Sequence, residues 1–167
     1  MDQVEEYDAT YRRYAPVLAR QLVALTGNRQ EAEDVVQEAF ARAWPRWSQV
    51  SRYDSPEAWV RTVAVRLATS RWRKARNTVL AWQRHGPPTD LPGMGEDTVA
   101  LVTALRRLPE AQRVAITLHH LLDLPVEQVA AELGVPPGTV KARLSRGRTA
   151  LAAQMSTTPI EDVTHRA

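Results

Sequence analysis

Apolar residues recur at steps of three and four along most of the chain, which is the spacing of amphipathic α-helices. The first stripe predicts a long helix that ends near Gly27. Its members are Tyr7, Tyr11, Tyr14, Leu18, Leu22 and Leu25. Asn28 is a suitable N-cap for a second helix, from about Arg29 to Trp44, which Pro45 then stops. The pattern therefore predicts two helices at the start of the chain, joined by a short turn.

A third helix follows, because Ser55 is a good N-cap and Pro56 suits the first helical position. Its periodic pattern extends to about Gln83. Residues 85–97 then hold three Pro and three Gly, which is the composition of a linker. No alternating apolar run is long enough for a β-sheet, so the pattern predicts an all-α fold.

Beyond the linker, the spacing predicts two more helices, over residues 99–108 and 109–122. The chain is therefore expected to form two small helical domains joined by a flexible linker. Each domain is small enough to be only modestly stable alone. The predicted division is a first domain over 1–84, a linker over 85–98, a second domain over 99–156 and a polar tail over 157–167.

The stretch from Val126 to Leu151 predicts two short helices joined by a tight turn. Gly134 tolerates the left-handed conformation that is common at helix ends, and Pro137 suits the start of the next helix. The second helix is rich in Lys and Arg. This is how a helix-turn-helix module presents one helix to the major groove of DNA. The alternative is an ordinary helical hairpin with a solvated basic face.

Charge is unevenly distributed along the chain, although the formal net charge is only +3. Residues 51–86 carry eight Lys or Arg against two Asp or Glu, and residues 136–156 carry four against none. Contact with a polyanion at two separated places is the simplest interpretation. Chance clustering of solvated Arg is the alternative for either segment alone.

The second predicted helix carries an acidic face, because Glu31, Asp34 and Glu38 lie at spacings of three, four and seven. Like charges at these spacings cost an isolated helix a few tenths of a kcal/mol per pair. The face, with Gln37 beside it, could dock a basic partner. It could equally be a solvated face that Arg42 partly neutralises.

The third predicted helix gathers cations on the side opposite its apolar stripe, and Trp72 lies among them. Aromatic rings interleaved with Arg suit single-stranded nucleic acid, since bases stack on the rings while cations follow the phosphates. The alternative is that Trp72 packs on a neighbouring element or on Arg side chains.

Composition excludes several other classes of protein. The chain of 167 residues has no Cys, which excludes disulfides and thiolate metal sites. No apolar run approaches the roughly 18 residues of a membrane span, and the acidic N-terminus is unlike a signal peptide, so we expect a cytoplasmic protein. The four His are scattered, and no catalytic triad, phosphate loop or metal-ligand spacing is present. We therefore expect neither an enzyme nor a bound cofactor or metal.

These features together resemble the extracytoplasmic-function group of bacterial RNA polymerase sigma factors, in the sigma-70 family, and in particular a SigE-like subgroup. The resemblance covers nearly everything except the linker and tail, and four stretches in this order and spacing are specific to it. They are EAEDVVQEAFARAW at 31–44, SPEAWVRTVAVRLATSRWRKAR at 55–76, LRRLPEAQRVAITLHHLLDL at 105–124 and VEQVAAELGVPPGTVKARLSRGRTAL at 126–151.

The resemblance implies a role for each charged surface. The first domain would be region 2, and the second domain, with its helix-turn-helix, would be region 4. The residues implied in polymerase binding are Glu31, Asp34, Gln37 and Glu38. Those implied in binding and opening the −10 promoter element are Arg61, Arg66, Arg71, Trp72, Arg73, Lys74 and Arg76. Those in the stretch that reads the −35 element are Thr139, Val140, Lys141, Arg143 and Arg146.

The implied partners are core RNA polymerase, through its β′ coiled coil and β flap, promoter DNA and an anti-sigma factor, although nothing in the sequence identifies the last. The chain departs from many family members at Arg66 and Ser70, where Asn and Asp are common, so the −10 preference does not carry over. The rival function is a stand-alone helix-turn-helix regulator that binds operators as a dimer. That alternative leaves the stretches at 31–44 and 55–76 without a role.

Overall fold

The computed structural model of the chain describes residues 2–77 and 95–156, apart from the side chains of residues 73 and 75–77. The described residues form helices joined by short turns and contain no strand, which confirms the predicted all-α class. The α-helices are α1 (Gln3–Thr26), α2 (Arg29–Ala43), α3 (Trp47–Val50), α4 (Pro56–Asn77), α5 (Glu96–Arg106), α6 (Glu110–Ile116), α7 (Val126–Leu133) and α8 (Pro137–Ser156). A 3₁₀ turn (Trp44–Arg46) precedes α3, and a π-helical turn (Thr117–Leu121) extends α6.

The helices of the first half of the chain begin and end at the capping residues that the sequence predicts. The Asn28 side-chain oxygen accepts a hydrogen bond from the Glu31 amide at 2.7 Å, and the Ser55 hydroxyl accepts one from the Ala58 amide at 3.1 Å. Gly27 ends α1 in the left-handed conformation, with φ of 89°. The described part of α4 ends at Asn77, and the remainder of the predicted helix to Gln83 lies outside the described residues.

The helix-turn-helix forms as the sequence predicts. Gly134 adopts φ of 65° and ends α7, after which α8 begins at Pro137. Val129 and Ala130 of α7 pack against Val140 and Leu144 of α8 in the core. The long helix α8 therefore packs on the short α7 through its apolar side, as the sequence predicts.

The two helical units, α1–α4 (the first unit) and α5–α8 (the second unit), pack directly on each other. Buried apolar residues of both belong to one continuous core, with α1 in contact with α5, α6 and the π-helical turn. The amide of Gln21 donates to the Leu121 carbonyl at 2.9 Å across this contact, and Arg106 donates to the Gly27 carbonyl at 3.4 Å. The sequence predicted two helical domains but not how they lie relative to each other. We call this direct packing of the two units the closed arrangement.

The predicted linker over 85–98 lies mostly outside the described residues, and α5 begins within its last part, at Glu96. The polar tail from residue 157 lies outside them altogether. None of the described helices combines the length and the hydropathy that a membrane span requires.

Candidate nucleic-acid and polymerase interface

The α2 docking face consists of Glu31, Asp34, Gln37 and Glu38. The opposite side of α2 is fully buried in the core, with Ala32, Val35, Val36, Ala39, Phe40 and Ala43. This burial fixes the rotation of the helix, so Gln37 is exposed and the three acidic side chains lie at least partly in solvent. Asp34 accepts a hydrogen bond from Gln30 at 2.9 Å. The structure thus brings the four predicted polymerase-binding residues together on one accessible surface.

Arg71 of α4 closes one edge of this face. Its guanidinium donates to Glu31 at 2.9 Å and to Glu38 at 2.5 Å, so one cation bridges two carboxylates of α2. The hydrogen bond from Arg71 is the main cause that lowers the pKa of Glu38, with a further contribution from Arg42. The hydrogen bond to Glu31 is the main cause that raises the pKa of Arg71. Arg71 was predicted to contact DNA, and in the closed arrangement it is engaged within the first unit.

The cations predicted to bind the −10 element differ in their exposure. Arg66 and Lys74 lie on the exposed side of α4, on the rim of a cleft of about 430 Å³ between α2 and α4. Cations placed so can contact phosphates directly. The side chains of Arg73 and Arg76 lie outside the described residues.

Arg61 faces the second unit instead of solvent. Its guanidinium lies 3.9 Å from a carboxylate oxygen of Glu132 in α7, and the two side chains are only 13% and 12% exposed. The Thr62 hydroxyl donates to the same Glu132 oxygen at 3.4 Å. A carboxylate of the helix-turn-helix therefore occupies the position where a phosphate could meet Arg61.

Trp72 is also covered by the second unit. The guanidinium carbon of Arg113 lies 3.9 Å from the centroid of the Trp72 ring, which is the geometry of a cation–π contact. Arg113 is only 1% exposed, and it also donates to the Arg106 carbonyl at 3.3 Å. In the closed arrangement Trp72 therefore packs on an Arg side chain, which is the alternative that the sequence left open. A base could stack on this ring face only after Arg113 leaves it.

The residues predicted to read the −35 element do not share one environment on α8. Lys141 and Arg146 are exposed, whereas Thr139 and Arg143 are partly covered, with Arg143 lining a cleft beside Thr69 of α4. Val140 is fully buried, because its apolar side chain packs in the core of the helix-turn-helix. We therefore withdraw Val140 from the predicted contacts with DNA.

Sequence reasoning missed the two residues that cover α4, Arg113 and Glu132. Arg113 immediately precedes the apolar run Val114–Ile116 of α6, and a cation adjoining such a run could have been flagged as a buried partner of another group. Glu132 offered no comparable signal, because a Glu at the end of a short helix is ordinary. Its partner Arg61 is far away in the sequence.

Two family models match the chain in the order of its two units. The model described as Sigma-70 region 2 matches residues 10–78, and the model described as Sigma-70, region 4 matches residues 98–151. The extracytoplasmic-function sigma factor SigL of Mycobacterium tuberculosis is 34% identical over 143 residues, which cover 81% of each chain. The RNA polymerase sigma-E factor of Streptomyces coelicolor is 27% identical over 157 residues, which cover 93% of this chain and 89% of that one.

Solved structures of two sigma factors resemble this chain in fold. The sigma factor RpoE of Bartonella quintana, solved in complex with the anti-sigma factor NepR, superposes with a TM-score of 0.75 at 24% identity, over 93% of this chain and 99% of that one. This likeness concerns the fold. The sigma factor SigJ of Mycobacterium tuberculosis is 31% identical with a TM-score of 0.59, over 89% of this chain and 53% of that one.

Proposed function

The chain belongs to the extracytoplasmic-function group of sigma-70 RNA polymerase sigma factors, and from that premise we propose a role for each of its surfaces. Sigma factors of this family direct core RNA polymerase to promoters and are not enzymes. We assign residues 1–84 to region 2, 85–98 to the linker and 99–156 to region 4. Such a factor works in the cytoplasm, where polymerase and promoters are. The stand-alone regulator is not favoured, because that function needs no region 2.

The α2 docking face binds core polymerase in this proposal. Its support is a rigid acidic surface, since the buried stripe of α2 holds the carboxylates outward. Opposite charge on a partner would raise the rate of encounter and fix the orientation of docking. The coiled coil of the β′ subunit is the proposed partner here, and the β flap is the proposed partner of the second unit.

The α4 helix binds the −10 element through its cations and Trp72. Opening a duplex costs about 1.4 kcal/mol per step of lost stacking, whereas a base stacked on an aromatic ring regains about 1–3 kcal/mol. A ring beside several cations could therefore hold an unstacked strand. Arg61 and Trp72 reach the promoter only when the second unit moves away, since Glu132 and Arg113 engage them in the closed arrangement.

The recognition helix α8 binds duplex DNA at the −35 element. The observation that carries this assignment is that Lys141 and Arg146 are exposed on a helix that has no acidic residue from Pro137 to Ser156. Holding both units on one polymerase raises the effective concentration of each DNA contact, so selectivity arises in the holoenzyme. A regulator of the anti-sigma class is a further proposed partner, by analogy with the complex of RpoE and NepR.

A pair of charge changes tests this division of labour. Asp34→Asn should weaken binding to core polymerase and leave promoter preference unchanged. Arg143→Gln should reduce the discrimination between −35 sequences and leave the affinity for polymerase unchanged. Glu33→Gln and Arg148→Gln are matched controls on α2 and α8, outside the proposed contacts. Binding to labelled core polymerase and competition between promoter variants are the measurements. The opposite pattern would refute the assignment of the two surfaces.

A further inference from the structure

Arg71 connects the two surfaces of the first unit to which we assign polymerase binding and DNA binding. It belongs to α4, the proposed −10 helix, yet its guanidinium holds Glu31 and Glu38 of the α2 docking face. The two carboxylates are seven residues apart, so they lie on one side of α2 and converge on a single cation. Two of the three acidic groups that would attract polymerase are thus already neutralised from within the chain.

The ion pairs of Arg71 are accessible enough to be exchanged. The side chains of Arg71, Glu31 and Glu38 are each about a third exposed. Solvent screens such pairs, and their net contribution to stability is small. A basic segment that reached Glu31 and Glu38 could therefore take over these carboxylates without first disrupting a buried core.

The released guanidinium would not have far to move. Arg71 lines the cleft between α2 and α4, and Arg66 and Lys74 line the same cleft on the exposed side. Glu38, which holds Arg71, and the cations to which we assign DNA binding therefore line one cleft. Its planar fork of donors, which binds a carboxylate, suits a phosphate equally well.

We propose that Arg71 couples polymerase docking to promoter binding by exchanging the α2 carboxylates for a phosphate of the −10 strand. In the free chain Arg71 occupies Glu31 and Glu38. Polymerase displaces it from them and so adds one cation to the DNA-binding face. This coupling rests on the proposed function, because it needs polymerase at the α2 docking face and DNA along α4.

The exchange has a thermodynamic consequence. A group that competes with polymerase and assists DNA must make the two binding events favour each other, and the effect is reciprocal. Removing Arg71 should therefore change the two affinities in opposite directions. A group that only braced α2 against α4 would weaken both.

The test uses the full-length Arg71→Gln variant with core polymerase. We expect tighter polymerase binding than native, because the internal competitor is gone. We expect weaker promoter binding by the holoenzyme, with a dependence of log K on log salt that is shallower by about 0.7, the value for one phosphate contact to a single strand. Arg71→Lys keeps one charge and loses the fork, so it should restore the salt slope while polymerase binding stays tighter than native.

Arg42→Gln is the matched control. Arg42 also donates to Glu38, at 2.5 Å, but it lies on α2 and not on α4. Its removal should tighten polymerase binding and leave the salt slope of promoter binding native. If Arg71→Gln and Arg71→Lys both weaken polymerase binding, or if Arg71→Gln keeps the native salt slope, the exchange is wrong. If the native chain itself fails to bind polymerase, the proposed function fails first, which the native measurement alone reveals.

Discussion

The ring of Trp72 lies under the guanidinium of Arg113, whose central carbon is 3.9 Å from the ring centroid. The two residues belong to different units, so this contact joins the proposed −10 helix to the proposed −35 module. The same ring face cannot hold Arg113 and a promoter base at once. The closed arrangement and an open promoter complex are therefore alternatives.

Glu132→Gln should loosen the closed arrangement, because it removes the charge that faces Arg61 and weakens the acceptor of Thr62. Both side chains are largely buried, so leaving Arg61 without its opposite charge should cost about 1–3 kcal/mol, the penalty for a buried polar group that loses its partner. Hydrogen exchange should rise in α4, and the urea midpoint should fall. Glu127→Gln, at an exposed site of the same helix, should change neither. Equal exchange in the two variants would argue against a closing role for Glu132.

Trp72→Ala should impair promoter opening more than polymerase binding. Loss of one stacking platform costs about 1–3 kcal/mol, or roughly five- to 150-fold in the population of open complex. Reactivity of unpaired bases in the −10 element measures that population, and titration with core polymerase supplies the control. Trp72→Phe retains a ring and should recover part of the loss. Full opening by the Ala variant would remove Trp72 from the mechanism.

Gly147→Ala should destabilise the second unit, although Ala is the better helix former. A Cβ at this buried position of α8 would lie 2.4 Å from Cδ1 of Ile116, so the buried Ile116 side chain would have to shift within the core or α6 and α8 would have to separate. Such overpacking costs about 1–3 kcal/mol. Gly138→Ala is the matched control, since a Cβ there meets nothing within 4 Å, and it should be neutral or stabilising by up to about 1 kcal/mol. Thermal unfolding of both variants tests the difference, and equal midpoints would contradict it.

Glu38 should contribute a pH-dependent part of stability. Its pKa is lowered in the folded chain, mainly by the hydrogen bond from Arg71, so its contribution is present above the ordinary value of 4.5. That contribution is lost as the pH falls through the lower, folded-state pKa. The free energy of unfolding, measured with urea, should therefore fall more steeply below about pH 4.5 for the native chain than for Glu38→Gln. Parallel pH profiles would show that the pairing is absent in solution.

Much of the fold could be predicted from local chemistry. The caps at Asn28 and Ser55 and the breaks at Gly27 and Gly134 lie where the sequence placed them, because each depends on residues within one turn. The all-α class followed from periodicity for the same reason. The π-helical turn at 117–121 was not expected, since its spacing differs from that of an α-helix by one residue.

The packing of the two units could not be predicted in this way. It depends on pairs such as Arg61 with Glu132 and Trp72 with Arg113, which are distant in sequence and ordinary when each residue is considered alone. The burial of Val140 was, by contrast, available from the apolar stripe of α8. The motif resemblance placed it among the DNA contacts, and the helical periodicity was the better guide.

Run-off transcription with core polymerase tests the central claim most directly. Purified full-length chain, core polymerase and a library of genomic fragments would be combined, and the start sites of the products would be mapped. We predict transcripts that require both the chain and the polymerase and that start downstream of one shared pair of −35 and −10 sequences. Absence of any chain-dependent transcript, together with binding of the chain to operator DNA as a dimer without polymerase, would contradict the account.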